Sequence, residues 1–264
     1  MLYKFFKYSE FLLSSIINGQ LYFSKVEDFN DPFEARFRYK IDNLNKKELE
    51  RTIAEFISPN SDIIQKYIDS PYELEQRLNK INDYQYDNKG VCCFTSLSNL
   101  LNVYMWAHYA NSSKGVCIAF DESLHFVHKE CIEKHSFIAD PQKHAVKYIS
   151  HFPKCNPLDK DHFKPADLLI LKQEAWQNEE ETRFISPKHG LHYFEKNKIK
   201  AIYFGSGLNK DQKKTISSLV EMLPYKNVQL YDIVLKENTF ELDYIAYKPV
   251  SYTHLRAHET DQYL

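Results

Sequence analysis

The spacing of apolar positions changes several times along the chain, and each change predicts an element. Residues 2–6 read as a short strand. Ser9 then caps a helix over Glu10–Asn18, with Phe11, Leu12, Ser15 and Ile16 on or near one face, and Gly19 ends it. Residues 21–24 form a second strand, and Asn30-Asp31-Pro32 is a turn. Residues 43–88 are polar, with helical stretches near 46–57 and 72–81, and read as a helical insertion. Strands follow at 90–96, 115–120 and 145–149, the last placed to pair with 115–120. Between the first two lies a helix over 99–110 with Ser98 as its cap. A helix over 167–176 and an alternating strand over 180–185 come next. A strand at 201–204 precedes a helix capped by Asn209, whose Ile216, Leu219, Val220 and Leu223 repeat at helical spacing. Strands at 228–235 and 240–247 close the pattern.

Strands occur throughout without strict alternation with helices. This predicts an α+β fold: a mixed, mostly antiparallel sheet core with peripheral helices. At 264 residues, with no Pro/Gly/Ser linker, the chain reads as one domain over 1–250. Residues 251–260, Ser-Tyr-Thr-His-Leu-Arg-Ala-His-Glu-Thr, resemble the translation of a sequencing adapter. Residues 251–264 are therefore expected to be a non-native tail.

Composition narrows the chemistry. Six Gly argue against a Gly-rich phosphate cradle, and 19 Tyr with 18 Phe favour strands. A net charge of −2 removes any global basic field for nucleic acid, although Lys196, Lys198, Lys200, Lys210, Lys213 and Lys214 leave a local basic stretch open. No run is long enough for a membrane helix, and the start does not read as a signal peptide. Five Cys without a CxxC pair suggest reduced thiols, so a cytoplasmic protein is expected.

Four segments place polar residues in apolar surroundings, where local pattern and fold conflict. Phe29-Asn30-Asp31-Pro32-Phe33-Glu34 is either a rigid turn or a loop that presents Asp31 or Glu34 to a pocket. Phe94-Thr95-Ser96 ends a strand in two hydroxyls, as a site or as a helix cap. Met105-Trp106-Ala107-His108-Tyr109 packs aromatics on a helix, with His108 at its boundary. Glu179-Glu180-Glu181-Thr182-Arg183, read as strand, puts Glu179, Glu181 and Arg183 on one face and Glu180 opposite. The plain alternative for this last segment is a charged, solvated edge strand.

In this order the segments resemble a bacterial family catalogued as a domain of unknown function, number 2971. The likeness includes Leu2-Tyr3-Lys4-Phe5, residues 19–24, Cys93-Phe94-Thr95-Ser96, residues 105–110, residues 114–120, and Trp176 followed by Glu179, Glu181 and Arg183. The order of elements is also similar to the ADP-ribosyltransferase fold, with Tyr3 or Lys4, then Ser24, then Thr95-Ser96, then Glu179-x-Glu181 in the family's polar positions. That resemblance implies an NAD-dependent transferase or glycohydrolase of a defence or toxin type, with NAD as substrate and an unidentified acceptor. Glu181 would hold the ribose 2′-hydroxyl, Glu179 would act on the acceptor, and Phe29 or Tyr109 would stack on nicotinamide. Asn30, Asp31, Trp106, His108 and Arg183 complete the expected binding set. The early Arg or His of that fold is absent at Tyr3-Lys4.

Two other classes stay open. Asp31, Glu34, His108 and Glu181 could converge as metal ligands of a hydrolase or nuclease. Alternatively, the chain is a non-enzymatic sensor or interaction module, which the lack of a pocket around these segments would favour.

Overall fold

The computed structural model describes residues 1–34, 38–42, 44–151, 168–223 and 227–249, apart from the side chains of residues 82, 84 and 85. The tail at 251–264 lies outside the described residues. In chain order the strands are β1 (Leu2–Lys7), β2 (Gln20–Phe23), β3 (Gly90–Phe94), β4 (Gly115–Phe120), β5 (Val127–His128), β6 (Gln142–Ala145) and β7 (Lys147–Ile149). They continue as β8 (Leu171–Gln173), β9 (Thr182–Ser186), β10 (Gly190–Tyr193), β11 (Ile199–Phe204), β12 (Gln229–Leu235) and β13 (Leu242–Ala246). The α-helices are α1 (Glu10–Asn18), α2 (Lys46–Phe56), α3 (Ser61–Asp69), α4 (Pro71–Asp87), α5 (Val103–Tyr109), α6 (Lys129–Glu133) and α7 (Lys210–Met222).

Local chemistry sets several of these ends. The Ser9 side chain accepts from Leu12 N, and Gly19 takes the left-handed conformation that stops α1. Asn209 and Gln212 form a reciprocal capping box at the start of α7. Asn45 and Glu48 do the same for α2.

The architecture is α+β, with mixed, mostly antiparallel sheets. Five strands run in the order β1-β4-β11-β12-β13, all antiparallel except β11 with β12. Two three-stranded sheets follow the orders β2-β10-β5 and β3-β9-β6, and β7 pairs with β8 in parallel. Isolated bridges join Tyr3 to Thr95 and Ser24 to Val91, so β3 touches both β1 and the end of β2. Strand β4 is buried along its whole length. At Gly115 a Cβ would stand 2.0 Å from the Phe6 carbonyl oxygen, so β1 and β4 meet there only over glycine.

The core divides along the faces of the large sheet. Leu2, Val116, Ile118 and Phe120 face Phe94, Phe126, Phe184 and Phe194. Tyr3, Phe5, Cys117, Ala119 and Tyr203 face Leu100, Met105 and Trp106 on the other side. Helices α2–α4, within the polar segment 43–88, bury Ile53, Leu74 and Leu78 with Ile41 in a cluster of their own.

Four expected elements differ. The 145–149 strand shrinks to β7 and pairs with β8, because both edges of β4 are already taken by β1 and β11. In the expected 167–176 helix, residue 167 lies outside the described residues, and 171–176 are instead β8 and the start of a 3-10 turn, Glu174–Glu179. Leu168, Leu169, Ile170 and Leu171 are all buried, a continuous run that fits no single helix face. The 99–110 helix is split at Asn102, whose side chain accepts from Tyr104 N and caps α5 in place of Ser98. Strand β9 starts at Thr182, so Glu179 and Glu181 precede it.

Candidate functional site

The Tyr3–Thr95 bridge sets the end of β3 beside β1, with backbone N–H groups donating in both directions at 2.9 and 2.8 Å. The Thr95 hydroxyl and the Asn99 amide both donate to the Glu179 carbonyl oxygen, at 2.5 and 2.8 Å. Those two bonds fix the last residue of the 3-10 turn against the β3 end. Glu180 then takes a left-handed conformation with φ of 45°. The reversal sends its side chain to the Ser96 and Ser98 hydroxyls, away from Glu179 and Glu181. The expected contrast between Glu180 and its two neighbours therefore holds in space, produced by a turn and not by strand alternation.

On the other side, loop 29–34 folds over this junction. The Asp31 side chain accepts from Phe33 N at 2.9 Å, and the Asp31 carbonyl accepts from Glu34 N. Glu34 is thereby carried inward to Arg183 and Lys172.

The result is a cavity of about 290 Å³. Tyr3, Lys4, Phe29, Asn30, Thr95, Tyr109, Glu179 and Glu181 line it, all expected from the sequence. Glu34, Cys93 and Lys172 line it too. The Tyr109 hydroxyl donates to Glu179 Oε1 at 2.5 Å and accepts from the Asn30 amide at 3.4 Å. The Tyr3 hydroxyl is buried with no hydrogen-bond partner among the described residues. The Lys4 ammonium donates to the Cys93 carbonyl at 2.9 Å and lies over the Phe94 ring.

Three carboxylates and two cations meet at the wall, with Arg183 just behind it. Arg183 donates from Nε and Nη2 to Glu181, from Nη2 to Glu34, and from Nη1 to the Leu169 carbonyl. Lys172 donates to Glu179 Oε2 at 2.5 Å and Glu181 Oε2 at 3.1 Å, and stands 3.6 Å from Glu34. Burial opposes charge on Glu181, but Arg183 and Lys172 outweigh it and hold that carboxyl down to about 2. Burial dominates at Glu34 and pushes it up to about 6 against the pull of Arg183. Lys172 is held above its ordinary value: burial works against its charge, and Glu181 and Glu179 more than offset this. Burial, then the bond to Glu179, raises the Tyr109 phenol.

Other expected residues sit elsewhere. Ser24 bridges to Val91. Ser96 faces Glu180 at the surface. Trp106 is fully buried core, its indole N–H donating to the Leu100 carbonyl at 2.6 Å. His108 is exposed on α5. Asp31 is buried and faces a neighbouring cavity. Arg183 lies behind the wall, where it holds Glu34 and Glu181. The charged segment is thus no solvated edge strand: Glu179 and Glu181 precede β9, Glu181 and Arg183 are buried, and β9 is the middle strand of its sheet.

Asp31, Glu34, His108 and Glu181 do not converge as a metal set, since Glu34 and Glu181 close on Arg183 while His108 points to solvent. Among the described residues, no group of three or more His, Cys, Asp or Glu could hold a metal ion. No described helix is long and apolar enough to cross a membrane. In the basic stretch, Lys198, Lys200 and Lys213 pair with Glu195, Asp121 and Asp232.

Lys172 was not among the expected residues. Its signal is a lone lysine directly after the apolar run 168–171, a polar residue in a buried context.

No curated protein matches this chain, and no solved structure matches it. The model of a family described as Protein of unknown function (DUF2971) matches residues 105–184. The matched stretch omits the N-terminal motifs but contains Tyr109, Lys172, Glu179, Glu181 and Arg183, and over it the chain is similar to that family.

Proposed function

We propose that the cavity binds NAD by its nicotinamide–ribose half and that the chain breaks the bond between the two, as an ADP-ribosyltransferase or NAD glycohydrolase. The observation that carries this reading is the convergence of Tyr3, Lys4, Phe29, Thr95, Tyr109, Glu179 and Glu181 on one cavity from well-separated stretches of chain. Breaking the bond leaves its electron pair on the nicotinamide nitrogen and positive charge on the ribose. A carboxylate fixed beside the ribose stabilises that charge as it develops. Water, or an acceptor nucleophile, then bonds to the same ribose carbon and releases its proton to solvent.

The two carboxylates differ in what they have left to offer. Glu181 is clasped by Arg183 and Lys172 on both oxygens, and its side chain is 5% exposed. Among the described residues each Glu179 oxygen has one partner, and its side chain is 12% exposed. In this reading Glu179 takes the ribose hydroxyl, and Glu181 positions it through Lys172. The ribose role that the resemblance implies for Glu181 thus passes to Glu179. Phe29 and Tyr109 supply aromatic surface for nicotinamide.

The test is NAD binding and nicotinamide release by the purified protein beside three variants. Glu179→Gln should lower turnover by about 10²–10³-fold with little change in melting temperature. Glu181→Gln should lower both, and Glu180→Gln neither. A folded wild-type protein that neither binds NAD nor releases nicotinamide would overturn the proposal. NAD binding without release would assign the cavity to a sensor.

A further inference from the structure

A second cavity, of about 440 Å³, lies on the other side of loop 29–34 and shares Phe29, Asn30 and Glu34 with the first. Its lining is acidic. Glu27, Asp31, Glu34, Asp83 and Asp87 stand against Lys25 and Arg38. Lys25 is paired with Glu27 at 3.0 Å and Arg38 with Asp83 at 2.8 Å, while Glu34 is held by Arg183. Among the described residues, Asp31 and Asp87 are the lining carboxylates that form no ion pair.

Asp31 is the informative one. It is 4% exposed, and among the described residues only its Oδ1 is used, by Phe33 N. Its Oδ2 is buried with no hydrogen-bond partner among the described residues. A buried carboxylate oxygen left unpaired is destabilising, and a donor arriving in the cavity would offset this. Tyr86 adds an aromatic wall, which attracts a cation that has shed water.

We propose that this cavity binds a small organic cation carrying alkylammonium or guanidinium groups, with Asp31 Oδ2 as its principal acceptor. An anion would meet an excess of carboxylates. A bare metal ion needs ligands gathered at one point, and no described group of three His, Cys, Asp or Glu provides this. An extended cation, whose charged ends lie several bonds apart, suits carboxylates spread over different walls. The inference stands apart from the NAD reading: it uses a different cavity and needs no turnover.

The test is isothermal titration calorimetry of the full chain with agmatine, putrescine and Mg²⁺ at low ionic strength. The amines should bind one to one and more weakly as salt is added. Asp31→Asn keeps the Oδ1 acceptor for Phe33 N but removes the charge, and should weaken binding by at least about tenfold. Asp87→Asn, at the exposed end of α4, should weaken it by about threefold without touching the core. If Asp31→Asn fails to fold, Asp87→Asn decides. No saturable binding of either amine by the folded wild type would overturn the proposal. So would unchanged binding in the variants, or binding of Mg²⁺ and not the amines.

Discussion

Arg183 makes four hydrogen bonds from a fully buried position, and each of its three nitrogens is used. A guanidinium can grip Glu181 with two donors and still reach Glu34 and the Leu169 carbonyl. An ammonium has no fixed fork and a shorter reach. Arg183→Lys should therefore leave at least one buried carboxylate poorly paired. The expected loss is about 3–5 kcal/mol, seen in circular-dichroism melts as a fall of roughly 10 °C. A melting temperature equal to wild type would show that charge alone, without the fork, holds the cluster. Much of this site could be read from the sequence at the residue scale. The Glu179-x-Glu181-x-Arg183 spacing is visible as such, and so is the turn chemistry of Asn30-Asp31-Pro32. The unforeseen part is Lys172, because its role depends on a chain reversal at Glu180 that no local pattern announces.

At the scale of elements, helix ends and long strands were legible because their signals are local: Ser9, Gly19 and Asn209 act within one turn of themselves. The short strands β5, β6 and β10 were not, since their existence depends on distant partners. Strand β10 illustrates the difference. Its His192 is fully buried, stacked near Phe23, and bonded to the Ser186 hydroxyl at 2.9 Å and the Gly190 carbonyl at 3.1 Å. Burial, the largest influence, lowers its pKa to about 4, and His128 nearby adds to the effect. The folded state thus prefers the neutral ring. The unfolded chain takes up the proton near 6.5, so the stabilisation is complete above that pH. It declines as pH falls from about 6.5 to 4 and changes no further below. The total is roughly 3 kcal/mol. Glu34, raised to about 6, works in the opposite sense over part of the same window. Comparison with His192→Gln isolates the histidine: urea unfolding at pH 7 and pH 4.5 should show a smaller loss in the variant. Equal losses would remove His192 as the cause.

At the scale of the molecule, the question is what makes several small sheets unfold together. Two backbone bridges, at Tyr3–Thr95 and Ser24–Val91, are too few to do so alone. The aromatic side chains supply the rest. Phe126, between β4 and β5, is 1% exposed and has ring centroids at 5.0 Å from Phe23, 5.1 Å from Phe184, 6.1 Å from Phe194 and 6.2 Å from Phe94. Those rings belong to β2, β9, the end of β10 and β3, and Phe94 and Phe194 in turn meet Phe120 of β4. One side chain therefore touches both three-stranded sheets and, at one remove, the five-stranded one. Phe126→Ala removes the contacts of all four neighbours and leaves a void that close-packed strands cannot fill by collapse, a change worth about 3–5 kcal/mol. If the sheets form one cooperative unit, the variant shifts the whole urea transition to lower concentration. Tryptophan fluorescence, from Trp106 beside β1 and Trp176 near Lys172, should then move together with far-ultraviolet circular dichroism. Two separated transitions, with only one displaced by the substitution, would show that the sheets fold as independent units and that the phenylalanine cluster does not join them.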